Sequence, residues 1–152
     1  MSKNSRQMRS ASRLFAVQAL FQMEHSELAA PKVIKEFEDH RFGADMDGDE
    51  LSEGDPGLFR SIVDEAVNNQ AKIDQLSDRA IVATWRLDRI DPTIRALFRA
   101  AGAELVIAST PPKVVISEFV DVAKAFFPDG KEPKFVNGVL DHMARELNGG
   151  DL

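Results

Sequence analysis

Apolar side chains return every three or four residues along almost the whole chain, and no stretch alternates with the two-residue period of a half-buried strand. That pattern restricts the fold to packed helices. Leu14, Val17, Leu20 and Phe21 form the first stripe, and Phe15, Ala16 and Ala19 extend it to other sides, as in a central helix with several neighbours. Pro31 opens a short helix through Val33, Ile34 and Phe37. Phe59, Ile62, Val63, Ala66, Val67 and Ile73 predict a long helix, and Ile81 with Trp85 a shorter one. Asp91 before Pro92 is an N-cap and first-turn pair, followed by Ile94, Leu97, Phe98, Ala101 and Leu105. Pro111-Pro112 stops that helix and launches another, with Ile116, Phe119, Val120, Ala123 and Phe126 inward. After the connection at 128–133, Val136, Val139, Leu140, Met143 and Leu147 make the last stripe. The expectation is an all-α chain of about seven helices.

The stretch 41–57, with Gly43, Gly48, Gly54 and Pro56, reads as a wide loop, and a second break falls near Ser77. These predict an N-terminal helical subdomain over 1–77 and a C-terminal one over 78–152, within a single unit of 152 residues. The chain has no cysteine, hence no disulfide, thiolate metal site or thiol nucleophile. Its apolar runs are too short to cross a bilayer, and residues 1–22 lack the apolar core and cleavage site of a secretion signal. A cytoplasmic location is expected, with no membrane partner.

The formal net charge of -6 argues against nucleic acid only on average. Residues 1–23 carry Lys3, Arg6, Arg9 and Arg13 and no acid, so they are +4 and the remainder is -10. Phosphates respond to local charge, because acids beyond a Debye length of about 8 Å are screened at physiological salt. Arg6, Arg9 and Arg13 are spaced three and four apart, which gives them a common face if the first helix reaches back to them. Cations in a first turn oppose the helix dipole by a few tenths of a kcal/mol, so an external polyanion explains the cluster better than helix stability does. A frayed, solvated terminus is the alternative.

Near the other end, Lys134, Phe135 and Asn137 set a cation, a ring and an amide together on the last helix. A ring that stacks a base contributes about 1 to 3 kcal/mol, a lysine beside it reaches a phosphate, and an amide hydrogen-bonds base edges. Phe135 on the flank of the apolar stripe is equally a candidate core aromatic, and Asn137 a candidate local cap.

Enzyme chemistry finds no support. Asp45-Met46-Asp47-Gly48-Asp49 begins like a calcium loop, but Glu50 stands where glycine is required and Pro56 where a bidentate glutamate belongs. His25, His40 and His142 lack metal-ligand spacing, and there is no phosphate-cradling glycine loop or nucleophile-elbow serine. No catalytic residue, metal or cofactor is expected.

Lys134-Phe135-Val136-Asn137-Gly138-Val139-Leu140-Asp141 resembles the C-terminal signature of the NusB family of bacterial transcription antitermination proteins. Arg13-Leu14-Phe15-Ala16-Val17-Gln18-Ala19-Leu20-Phe21-Gln22 looks like that family's first helix. Between them, Trp85-Arg86-Leu87-Asp88-Arg89-Ile90-Asp91, Ile94-Arg95-Ala96-Leu97-Phe98-Arg99 with Ala103-Glu104-Leu105, and Pro112-Lys113-Val114-Val115-Ile116-Ser117-Glu118 with Ala123-Lys124 occur in the family's order. The resemblance is weak only between Glu24 and Pro56, and ordered blocks are more specific than one short motif.

The resemblance implies two packed helical bundles and an RNA-binding factor for antitermination and ribosomal RNA maturation. Such a protein binds the boxA element of single-stranded transcripts with NusE, a ribosomal protein, and joins the RNA polymerase antitermination complex. Lys3, Arg6, Arg9 and Arg13 would hold phosphates as the family's arginine-rich element does, although Ser10, Ala11 and Ser12 interrupt the basic run here. Lys134, Phe135 and Asn137 would read or stack bases. Some members are homodimers that could cover the basic end. Two rivals remain: an acidic interaction scaffold without an RNA role, and a relative of the RNA-binding part of ribosomal RNA methyltransferases, whose catalytic domain a chain ending at Leu152 is not expected to contain.

Overall fold

The computed structural model describes residues 3–40, 55–84 and 90–150. Among them are seven helices and no strand: α1 (Lys3–Glu24), α2 (Ala30–His40), α3 (Pro56–Asn68), α4 (Gln70–Thr84), α5 (Pro92–Ile107), α6 (Pro112–Phe126) and α7 (Glu132–Leu147). The acidic loop 45–49 and the block 85–89 with Trp85 lie outside the described residues.

Helix α5 is the centre, packed by α1, α3, α4, α6 and α7. Its sequence explains why. Ala96, Ala100, Ala101, Gly102 and Ala103 are buried beside Ile94, Leu97 and Phe98, so small residues on several sides let neighbouring helices approach. At Gly102 an added Cβ would stand 2.7 Å from Ile73 Cγ2 and 3.2 Å from Met143 Cε. Gly102→Ala should therefore cost about 1 to 3 kcal/mol through overpacking, offset by about 1 kcal/mol of helix propensity, as a urea melt will measure.

The N-terminus of α5 is capped as the sequence predicts, Asp91 Oδ1 accepting from the Thr93 N–H at 2.7 Å with Pro92 in the first turn. A cap that the sequence reading passed over starts α3: Asp55 Oδ1 accepts from the Leu58 N–H at 3.1 Å. The expected break near Ser77 is absent, since α4 runs through it. The chain breaks instead at Asn69, whose N–H donates to the Glu65 carbonyl and whose side-chain amide donates to Glu65 Oε1 at 2.9 Å. Ser77 is accommodated because it is buried with its hydroxyl bonded to the Asp74 carbonyl, a local bond compatible with helix.

The final stripe is as expected: Val136, Val139, Leu140 and Met143 are fully buried, with Leu147 half-buried at the edge. In α6 the buried face also takes Val115 and Val122, while Val120 and Phe126 are only partly covered.

Candidate nucleic-acid interface

Helix α1 extends back to Lys3, with no acid in its first turn. Arg6, Arg9 and Arg13 share a face, and that face descends into the protein: Arg6 is exposed, Arg9 half-buried and Arg13 only 2% exposed. The Lys3 side chain lies outside the described ones.

Arg13 corrects the sequence expectation. Its guanidinium is turned inward, Nε donating to Glu104 Oε1 and Nη2 to Glu104 Oε2, each at 2.8 Å, with Nη1 3.3 Å from Glu118 Oε1. Burial pushes the Arg13 pKa down, but the hydrogen bonds and charge of Glu104, joined by Glu118, outweigh it and hold the group above its ordinary value. A planar fork matched to a carboxylate is what makes an arginine tolerable at this depth. Arg13 thus ties α1 to α5 and α6 instead of pointing at solvent.

The residues that interrupt the basic run do the same work. Ser10 Oγ donates to Glu118 Oε2 at 3.2 Å. Ser12, fully buried, donates from its hydroxyl to the Asp55 carbonyl at 2.7 Å and accepts from the Asp55 N–H. The Met8 carbonyl also receives the Asp55 N–H, at 3.2 Å. One turn of α1 is therefore bolted to the start of α3, to α5 and to α6, and the segment bearing Arg6 and Arg9 projects from that anchor.

On α7 the expected trio separates. Residues two apart on a helix do not face each other. Phe135 turns toward α5, its half-buried ring in a T-shaped contact with Phe98 at 5.8 Å between centroids and 63° between planes. Asn137 is exposed and lines a groove between α6 and α7. Lys134, exposed and three residues before Asn137, belongs with that side of the helix. Phe135 is both a core contact and an accessible edge, whereas Lys134 and Asn137 form a separate polar strip.

Sequence reasoning missed Glu104 and Glu118 as partners of Arg13. Glu104 had a signal: a lone acid between Ala103 and Leu105 on a helix otherwise apolar on most sides. Among the described residues no group of three or more His, Cys, Asp or Glu side chains is placed to hold a metal, and no helix is long and apolar enough to cross a membrane.

A model of the NusB family matches residues 10–145. The chain belongs to the NusB family. It is 47% identical over 147 residues to a transcription antitermination protein NusB of Caulobacter vibrioides, covering 96% of this chain and 98% of that protein. A NusB of Maricaulis maris is 46% identical, with 95% and 90% covered. Family membership with such relatives makes this a transcription antitermination protein and not an enzyme. Among solved structures, a crystal structure of antitermination factors NusB and NusE in complex with double-stranded RNA aligns with TM-score 0.72 and 25% identity, over 90% of this chain and 96% of that one. T. maritima NusB aligns with TM-score 0.69 and 28% identity, with 91% of each chain covered. The NusB match begins at residue 10, so it takes in the anchor at Ser10, Ser12 and Arg13 and leaves Lys3, Arg6 and Arg9 just before it.

Proposed function

We propose that this NusB-family chain binds boxA-type single-stranded RNA jointly with NusE, in the cytoplasm, and acts in ribosomal RNA transcription and maturation within the RNA polymerase antitermination complex. The observation that carries the RNA role is the anchored basic end of α1. Arg6 and Arg9 follow Lys3 on a helix without a first-turn acid, and the anchor built by Ser12 and Arg13 fixes their direction. Holding that segment in place before binding lowers the ordering entropy that phosphate contacts must otherwise offset. Lys134 and Asn137 add contacts to sugar, phosphate or base edges, and the accessible edge of Phe135 a stacking surface.

NusE supplies what this acidic chain lacks. With Arg13 neutralised internally, one of the four N-terminal cations is withdrawn from RNA, while the body remains strongly negative. A solved relative is a complex of NusB and NusE with double-stranded RNA, which supports joint assembly of the two proteins with RNA. A homodimer that covered the basic end would be a form that does not bind RNA.

Fluorescence anisotropy with a boxA-like strand, a scrambled strand and an RNA duplex tests the proposal in the presence of NusE. The boxA-like strand should bind tightest, and a short strand should give a salt slope of about -2, as three phosphate contacts to single-stranded RNA require. Equal affinity for all three RNAs would refute the boxA reading. Phe135→Leu refines it: the core contact with Phe98 is largely retained, so stability should fall by less than about 1.5 kcal/mol. RNA binding should weaken by about 1 to 3 kcal/mol if the ring stacks on a base.

A further inference from the structure

We infer that the groove between α6 and α7 is a second RNA contact, a track for the ribose-phosphate backbone that continues from the basic end of α1. The inference rests on the RNA-binding reading above and extends it to residues outside the N-terminal segment.

The groove is about 390 Å³ and is lined by Lys113, Ser117, Asp121 and Lys124 from α6 and by Asn137, Asp141 and Arg145 from α7, over Ile116 and Val120. Its charged lining comprises three cations and two carboxylates, a local excess of positive charge on a chain of net charge -6. Each carboxylate is engaged along its own helix, Asp121 with Lys124 at 3.9 Å and Asp141 with Arg145 at 2.8 Å. Lys113 has no carboxylate partner among the described residues. Both pairs are solvent-exposed, and exposed pairs of this kind are weak enough to exchange a carboxylate for a phosphate. Asn137 and Ser117 add neutral hydrogen-bonding groups, suited to ribose hydroxyls and base edges.

Position connects this groove to α1. Helix α6 packs against both α1 and α7. On its α1 side, Glu118 is engaged by Ser10 and by the Arg13 guanidinium it shares with Glu104, which draws its carboxylate toward α1 and away from the groove. On its other side, Lys113, Ser117 and Lys124 face the groove. A strand held by Arg6 and Arg9 that crosses α6 therefore meets cations next, and the amide of Asn137 beyond them.

The test compares a short strand, sized to the basic end alone, with a longer one that reaches the groove, both titrated by anisotropy against the full chain with NusE. Lys113→Ala with Lys124→Ala should weaken the long strand about tenfold near 0.15 M salt and flatten its salt slope by about 1.4, leaving the short strand unchanged. Asp121→Asn with Asp141→Asn should do the opposite and tighten the long strand, a gain that misfolding cannot produce. Long-strand affinity unchanged in both double variants overturns the groove, as it would if the groove served an acidic protein segment instead. Failure of the basic-end reading has another signature: replacing Lys3, Arg6 and Arg9 would leave both strands bound as before, and failure of the RNA reading itself would leave neither strand bound by the parent chain.

Discussion

Arg13→Ala is expected to destabilise the protein by about 3 to 5 kcal/mol, because it strands Glu104, itself buried, without the guanidinium that neutralises it. This is the largest single-residue effect anticipated, and it arises from the carboxylate left behind more than from the lost attraction. Arg13→Leu with Glu104→Leu should recover much of the stability, since a buried ion pair replaced by apolar side chains is often near neutral. RNA binding separates this role from a phosphate contact. The fraction of Arg13→Ala that remains folded should bind RNA with a salt slope close to that of the parent chain, whereas a phosphate-binding Arg13 would leave stability nearly unchanged and flatten the slope by about 0.7. The anchor should not respond to pH from the arginine side. A raised arginine pKa contributes stability that is complete below the unfolded-state value and lost only as pH rises through the folded-state value, beyond the range in which proteins are handled.

The second large effect is on binding. Replacing Lys3, Arg6 and Arg9 together by alanine should reduce RNA affinity on the order of tenfold to a hundredfold near physiological salt and remove most of the salt dependence of a short strand. Folding should be largely intact. Arg6 is exposed, Arg9 is only half-buried, and the anchoring residues Ser10, Ser12 and Arg13 are all retained. Helicity should hold or rise slightly, because cations leave a helix N-terminus where they oppose the dipole. Circular dichroism and thermal melts run beside the titrations give this contrast directly: the triple variant loses affinity with little loss of stability, and Arg13→Ala loses stability while its folded fraction keeps affinity.

That contrast also marks what the sequence could and could not reveal. Periodicity located the helices, because a stripe such as Val136, Val139, Leu140 and Met143 has one low-energy way to be buried. Asp91-Pro92 located the start of α5 for the same kind of reason, a local bond with a local signature. The α3–α4 boundary was misplaced at Ser77 because a serine can end a helix or sit inside one, and the outcome depends on a hydroxyl bond to the Asp74 carbonyl that spacing does not encode. The candidate site was legible as a set of residue types and misread as an arrangement. Arg13 shares the spacing of Arg6 and Arg9, but which end of a shared face enters the core is decided by Glu104, 91 residues away. Likewise Lys134, Phe135 and Asn137 are adjacent in sequence, while the helix turns Phe135 toward Phe98 and Asn137 toward the groove. Ser10 and Ser12, read as gaps in a basic run, are the bolts that hold it.

The central claim is joint assembly of RNA and NusE on this chain, and a closed binding cycle tests it most directly. RNA affinity is measured with and without saturating NusE, and NusE affinity with and without saturating boxA-like RNA. Linkage requires the two ratios to be equal, and the account predicts a coupling of about 1 to 3 kcal/mol for the boxA-like strand and less for a scrambled one. RNA affinity and sequence preference that are the same with and without NusE would contradict it, and the chain would then have to be read as an acidic scaffold or a self-associated form.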